Sequence, residues 1–451
     1  MTYQEALQYL DSFINYEKVD EYNYKASLKL ERMKRLAALL GDPQKATRSI
    51  HIAGSKGKGS TASYAYSILR CAGYRVGLYT SPHLISFRER IRINDELISE
   101  EDLARILTKI REVIDILMRD ERPTFFEVYT ALSFLYFKEK RIDFAVYEVG
   151  LGGRLDATNL VEPLVCAITS LSYEHTEKLG FTLEEIAAEK CGIIKNDVIC
   201  ISAPQEKEAL KTIEDICMER RSKLFLVGKN ILFKEVESNE NLNIFSVSGM
   251  FQEYPHLKTA LIGPHQIVNA ATAIGIIEAL RFRNIIIPTE AIRKGIEDAK
   301  WDGRLEVINK KPFIVLDGAQ NRASAHALAE AIKKIFIYKR LILVLGVSKD
   351  KDINGILEEL MPISGSIVLT KSKVAERAME PAKIKESAEN ISAGSKNIVL
   401  TSNIDEALKK AKSIAETDDL ILITGSLFVV GEAMSSLRGA SEVSDEAIST
   451  K

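Results

Sequence analysis

The chain has 451 residues, 46% of them apolar and 27% charged, with a net charge of −2. That length exceeds one ordinary core, so two domains are expected, and the scattered, nearly balanced charge excludes the basic stripe of a nucleic-acid binder. No apolar run approaches the roughly 20 residues that span a bilayer, and Met1-Thr2-Tyr3-Gln4-Glu5 opens no signal-peptide pattern; a cytoplasmic monomer without a membrane role is expected.

In chain order, Ser49–Ala53 is read as a strand, followed by a glycine-rich turn and a helix from about Ser60 that stops at Gly73. Arg75–Thr80 is the next strand. Ser99 with Asp102 opens a long helix in the manner of a capping box, and a second helix covers Phe125–Lys138. Two strongly apolar strands follow, Phe144–Val149 and Leu164–Thr169. Thr182 with Glu185 then opens a helix to about Lys190, with Gly192 as its stop. Such alternation predicts an α/β fold with a mostly parallel sheet covered by helices on both faces. Ile231–Val236 and Asn243–Val247 look like a hairpin or an edge excursion, and helices are expected around His265–Arg281 and Thr289–Ala299. After Trp301-Asp302-Gly303-Arg304 the alternation restarts, with strands at Phe313–Leu316, Leu341–Leu345, Ser366–Leu369, Asn397–Leu400 and Leu420–Ile423. The expected division is therefore 1–300 and a smaller α/β unit at 301–438, with the small polar tail at 439–451 expected to fray. The five cysteines (71, 166, 191, 200, 217) show no CxxC or Cys/His ligand spacing, and Cys71, Cys166 and Cys200 read as small buried residues in a reducing compartment.

The most informative segment is Gly54-Ser55-Lys56-Gly57-Lys58-Gly59-Ser60-Thr61. It follows a strand and opens a helix, the setting in which curled backbone N–H groups and a helix N-terminus hold phosphate. Lys58 would reach the outer phosphates, and a hydroxyl from Ser60 or Thr61 would hold Mg²⁺. The lysine sits between Gly57 and Gly59, which is not the standard Walker A spacing. By itself this loop says that a nucleoside triphosphate binds, ATP being the expected one, without saying which reaction follows. Three other strands end in donors: Ser81 after Arg75–Thr80, Glu148 at the close of Phe144–Val149, and His175 after Leu164–Thr169. Carboxyl ends of parallel strands are where open α/β sheets bind ligands. From its neighbours alone, Lys190 reads as a lysine complementing a helix C-terminus.

These segments resemble the folylpolyglutamate synthase and dihydrofolate synthase family, within the Mur-ligase superfamily. The matching pieces are 51–61, Tyr79–Leu84, Arg92-Ile93-Asn94, Thr124–Glu127, the highly specific run Glu148–Asn159, Glu189–Ile193, His265-Gln266 with Asn269-Ala270, Gly303-Arg304, Asp317–Ala319 and Thr424–Leu427. The resemblance implies a Mur-ligase-type ATP-binding domain with a folate pocket, a Rossmann-like C-terminal ligase domain, and an ATP-dependent amide ligase. Its substrates would be a folate or dihydropteroate and L-glutamate, joined through an acyl phosphate. It implies that Gly57, Lys58, Gly59, Ser60 and Thr61 cradle phosphate, that Asn269, Arg304 and Asp317 hold ATP, and that Ser60, Ser81, Glu148 and His175 ligate magnesium at two sites. Lys58, His175 and Lys190 would be catalytic, Lys190 as a carbamylated lysine, which replaces the helix-end reading. Thr124, Phe126, Arg154, Asp156 and Ser426 would contact substrate, and Thr124–Glu127 resembles the bifunctional bacterial members.

Two departures stand out. The family's Asp-Gly-Ala-His-Asn-Pro is Asp317-Gly318-Ala319-Gln320-Asn321-Arg322 here, and Gln320 cannot titrate as histidine does. The family's aspartate before the metal histidine is Glu174, one methylene longer. A related Mur-type ligase on a bulkier carboxylate would need a further α/β domain ahead of the loop, which residues 1–48 do not supply. A non-catalytic ATP-binding regulator would have no use for Glu148, His175 and Lys190 together.

Overall fold

The computed structural model describes residues 1–439 apart from 18, 20, 21, 119, 120, 375, 376 and 392–396; the fraying expected of the tail lies outside the described residues from 440 onward. The larger sheet contains β1 (Arg48–Ala53), β2 (Val76–Tyr79), β3 (Ile91–Ile93), β4 (Glu96–Leu97), β5 (Phe144–Glu148), β6 (Val165–Ile168), β7 (Ile199–Ser202) and β8 (Lys223–Leu226). Their order is β4-β3-β2-β5-β1-β6-β7-β8, with all pairs parallel except those of β3, which pairs antiparallel with both β2 and β4 near one edge. Along β6, Val165 and Ala167 face the core shared with helix Lys58–Cys71, whereas Cys166 and Ile168 face a second core containing Cys191, Cys200 and Cys217. Both faces are covered, which is why these strands read as unbroken apolar runs. Four cysteines are buried as expected of small apolar side chains, while Cys71 is only half-buried.

A separate three-stranded antiparallel sheet, β9 (Leu232–Ser238), β10 (Asn243–Ser248) and β11 (Glu253–Thr259), takes the place of the expected hairpin. Its last strand escapes the sequence pattern because it holds Pro255 and His256, the latter at φ +53°, beside a register shift. The C-terminal unit is a six-stranded sheet of β12 (Glu306–Lys310), β13 (Phe313–Leu316), β14 (Leu341–Leu345), β15 (Ser366–Leu369), β16 (Asn397–Leu400) and β17 (Leu420–Thr424). Its order is β12-β13-β17-β14-β15-β16, with only β12 antiparallel. The pattern had no counterpart for β3, β4, β7, β8 or β12 either; all are short, and β12 and β8 are half exposed.

Two helix ends differ from expectation for physical reasons. The helix expected from about Ser60 begins at Lys58, because Gly57 at φ +83° already supplies the left-handed turn. Gly192 ends its helix at φ −56°, so it is not a left-handed stop. A Cβ there would lie 2.4 Å from Arg154 Cα, so glycine is required by the close passage of two backbones. The segment that leads from the first unit into the second is fixed near the loop: Ser63 Oγ donates to Lys300 O at 2.7 Å, and the Trp301 ring lies against Gly59. Among the described residues no helix is long and apolar enough to cross a membrane.

Candidate active site

β1 runs straight into the glycine-rich turn. A Cβ at Gly54 would lie 1.9 Å from Thr169 Oγ1, and one at Gly57 2.2 Å from Asn269 Oδ1. Ser55 and Lys56 donate their backbone N–H groups to Ser170 O at 3.1 and 3.0 Å, fixing the loop to the chain leaving β6. No side chain caps helix Lys58–Cys71, so its first N–H groups remain directed at the loop. Ser60 is buried, and the Thr61 hydroxyl is buried with no hydrogen-bond partner. An anion with its counter-ion would complete both.

The strand order does the rest. β2, β5, β1 and β6 are neighbours with their carboxyl ends at one edge, so Ser81, Glu148, the loop and His175 emerge side by side. Ser81 N–H donates to Glu148 Oε2 at 3.3 Å. Burial raises the Glu148 pKa, opposed by Lys58, the Ser81 N–H, Arg304 and Arg90. Such a carboxylate gains from any further cation brought to it. Among the described residues no group of three His, Cys, Asp or Glu side chains forms a metal cage. The hydroxyl and carboxylate donors present suit a hard ion that keeps water and phosphate as its other ligands.

Lys58 Nζ donates to Gly54 O at 3.0 Å. Lys190 Nζ donates to the same carbonyl at 2.9 Å and to Glu174 Oε1 at 2.7 Å. Lys190 is buried, and desolvation lowers its pKa, with Glu174 opposing and Lys58 adding to the shift. Burial would raise Glu174, but Lys190, Lys58 and His175 hold it at about 2. Glu174 is thus a carboxylate, and Lys190 is easier to deprotonate than an exposed lysine. Burial brings His175 down to about 4 against the pull of Glu174, so its imidazole is neutral near pH 7.

Residues from later in the chain reach the loop as well, Asn269 from the first unit and Arg304 and Asp317 from the second. Asn269, on helix Pro264–Ala279, lies against Gly57, and Arg304 bears on both Glu148 and His265. Asp317 accepts from the N–H groups of Leu305 at 2.9 Å and Ala319 at 2.8 Å and lies beside Arg304.

A cleft of about 190 Å³ adjoins this edge and is walled by both units; Ser81, Thr124, Phe126, Asp156, His175, Gln320 and Ser426 line it. Phe126 packs on Gly150, where a Cβ would lie 2.6 Å from its ring. Thr124 caps helix Phe125–Glu139, and Glu127 of that helix is held by Arg32 at 2.7 and 2.9 Å. Asp156 accepts from the backbone N–H groups of Gly150, Leu151 and Thr158 and from the Thr158 hydroxyl. With four donors its lone pairs are occupied, so it shapes the wall between β5 and the 3-10 turn Ala157–Leu160. Behind it, His51 Nε2 lies 2.8 Å from the Thr158 hydroxyl. Arg154 is not brought into the cleft: it pairs with Glu189 at 2.6 Å and is half exposed. The pattern passed over Glu17, Arg90, Lys178, Asp350, Lys351 and Arg377, all at or beside the cleft. Asp350 and Lys351 follow β14, so the strand-end rule that singles out Glu148 points to them too.

A Mur ligase middle domain model matches residues 52–277, and a Mur ligase glutamate ligase domain model matches 303–427. A Bacillus subtilis protein named dihydrofolate synthase/folylpolyglutamate synthase is 38% identical over 415 residues, covering 91% of this chain and 95% of that one. The crystal structure of folylpolyglutamate synthase from Thermotoga maritima superposes with a TM-score of 0.83 at 36% identity, covering 97% of both chains. An Escherichia coli FolC structure in complex with DHPP and ADP gives 0.86 at 29% identity, covering 97% of this chain and 98% of that one.

Proposed function

The chain belongs to the dihydrofolate synthase/folylpolyglutamate synthase family of Mur ligases, and from that premise we propose that it is an ATP-dependent ligase joining L-glutamate to the carboxylate of a folate or dihydropteroate. The γ-phosphoryl group of ATP passes to the acceptor carboxylate, giving an acyl phosphate and ADP; the glutamate amine then attacks the acyl carbon and phosphate leaves. A carboxylate is a poor acylating agent, and phosphorylation supplies its leaving group. The observation that carries this proposal is the uncapped N-terminus of helix Lys58–Cys71 with Lys58 Nζ on the carbonyl of Gly54 and Glu148 alongside. It gathers positive charge where two anions must meet.

In this proposal Lys58 leaves Gly54 O for the phosphates, and the N–H groups of Gly57–Thr61 orient them. Asn269, Arg304 and Asp317 hold the nucleotide. Neutral His175 and Ser81, Ser60 or Thr61, and Glu148 would hold magnesium at two sites, which would neutralise charge between the phosphates and the acceptor. Lys190 would carry a carbamate. Its burial and lowered pKa supply the free amine that CO₂ needs, and the role requires Glu174 to turn away from the new anion. Thr124 and Phe126 border the acceptor's ring system, Ser426 and Gln320 face it from the C-terminal unit, and the working division falls near residue 300. The enzyme would act in the cytoplasm as a monomer, bifunctional in its choice of acceptor.

The test is ADP release by the purified protein with Mg-ATP and L-glutamate, comparing dihydropteroate, tetrahydrofolate and no acceptor. Glutamate-dependent release with both acceptors is expected. Release with one alone would remove the bifunctional assignment, and release with neither, from a folded protein that binds ATP, would refute the proposal.

A further inference from the structure

Three lysines crowd the glycine-rich turn, and only two of them are engaged. Lys58 donates to Gly54 O, and Lys190 donates to Gly54 O and to Glu174. Lys56 is half-buried, yet among the described residues its ammonium makes no hydrogen bond and no ion pair. Burial pushes its pKa down, and Glu174 is the carboxylate that opposes the shift. Its other titratable neighbour, His265, is brought down to about 4 by burial, Arg304 and Lys56, so it is neutral and offers no counter-charge.

Lys56 and Glu174 are carried on two segments zipped together. Ser55 and Lys56 donate their N–H groups to Ser170 O, Ser55 Oγ donates to Ser172 O at 3.0 Å, and Ser172 N–H donates back to Ser55 Oγ at 3.1 Å. The two side chains therefore stay neighbours whatever happens at Lys190.

Carbamylation reverses the sign of the group that Glu174 now holds at 2.7 Å. The Lys190 ammonium gives up a proton to water, and the amine nitrogen bonds to the carbon of CO₂ as one C–O π bond opens. A second proton then leaves, and a cation has become an anion. Glu174 is left enclosed beside a like charge. Lys58 is committed to the phosphates and His175 is neutral, which leaves Lys56.

We propose that Lys56 is a positioning residue: when Lys190 takes up CO₂, Glu174 exchanges its ion pair with Lys190 for one with Lys56. The exchange rests on the carbamate assignment of Lys190 and supplies the place to which Glu174 turns. The methylene that distinguishes glutamate from aspartate lengthens the swing between the two ammonium groups. A half-buried pair is weaker than the enclosed one it replaces, so Glu174 stays on Lys190 until the sign there changes.

The test is carbon NMR of the purified chain equilibrated with ¹³C-bicarbonate over a range of CO₂, reading the carbamate carbon above a Lys190→Met blank. Lys56→Met, Lys56→Arg, Glu174→Gln and the double variant Lys56→Met with Glu174→Gln are compared, each checked by thermal melting. In Lys56→Met the CO₂ needed for half-occupancy should rise about threefold or more, and Lys56→Arg should keep the wild-type requirement. In the Glu174→Gln background the same lysine substitution should change nothing, because the displaced charge is gone. An unchanged requirement in folded Lys56→Met overturns the exchange, and so does an equal rise in both backgrounds. Lys56→Gln is read in the same way if the methionine variant does not fold. A wild type with no carbamate above the blank would remove the carbamate assignment itself and the exchange with it, whereas a wild-type carbamate indifferent to Lys56 overturns the exchange alone.

Discussion

Replacing Lys190 by methionine keeps the side-chain bulk and removes the ammonium that faces Glu174 at 2.7 Å. The cations around Glu174 hold it at about 2 rather than 4.5, against burial, with Lys190 foremost among them. At about 1.4 kcal/mol per unit, that depression corresponds to about 3 kcal/mol for Lys190, Lys58 and His175 together, and breaking a buried pair by removing one partner costs ~3–5 kcal/mol. We expect Lys190→Met to lose about 3 kcal/mol at pH 7 by this bookkeeping. Because the folded-state pKa of Glu174 is depressed, its contribution is present in full above the unfolded value and is lost as pH falls through the folded one. The gap between wild type and variant should therefore narrow below pH 4.5 and be nearly gone at about 2. Urea denaturation across that range reads the gap. The decisive partner is Lys190→Met with Glu174→Gln, which removes the stranded charge. It should regain most of the stability while remaining inactive in glutamate-dependent ADP release. A single variant as stable as wild type at pH 7, or a double variant no more stable than the single, would refute the reasoning.

Gly57→Ala must place a side chain at φ +83° and 2.2 Å from Asn269 Oδ1; backbone strain of about 1–2 kcal/mol and displacement of Asn269 should weaken ADP binding about tenfold or more by calorimetry, and unchanged affinity would exclude this loop geometry. Arg32→Met strands the buried Glu127 carboxylate and should lower stability by ~3–5 kcal/mol, seen as a large fall in the melting temperature; a small shift would mean that water reaches Glu127. Lys190→Ala should lose turnover while still binding ATP, with partial recovery on adding a short carboxylic acid; near-wild-type turnover without the acid would remove the carbamate role.

The phosphate loop was legible because its chemistry is local: Gly54 and Gly57 are needed for approaches that any side chain would block, and they stand next to the lysine they serve. Ser81, Glu148 and His175 were legible for a different reason. Parallel strands align their carboxyl ends, so a donor just past an apolar run is placed without knowledge of distant contacts. Neither argument reaches Arg90, whose guanidinium is buried against Glu17 from a segment with no periodic pattern, or Arg377, which meets Asp350 from another loop. Those pairings are set by how loops close, which spacing along the chain does not encode. Asp156 and Arg154 mark the limit of motif transfer. Both belong to the most specific run, yet one is saturated by backbone donors and the other turns to Glu189. Similarly, β11 was missed because pairing across its sheet outweighs the unfavourable Pro255.

The Trp301 ring that lies against Gly59 has a practical consequence. It is the sole tryptophan in the chain, and it stands where the crossover between the two units touches the first turn of the phosphate-loop helix. Indole emission is sensitive to solvent exposure and to nearby charge, so the unlabelled protein carries an optical reporter at the junction that nucleotide binding must disturb. Stopped-flow mixing with ATP, ADP or acceptor, excited where tyrosine does not absorb, would then time ligand binding at this junction on the native chain, with the signal coming from one indole.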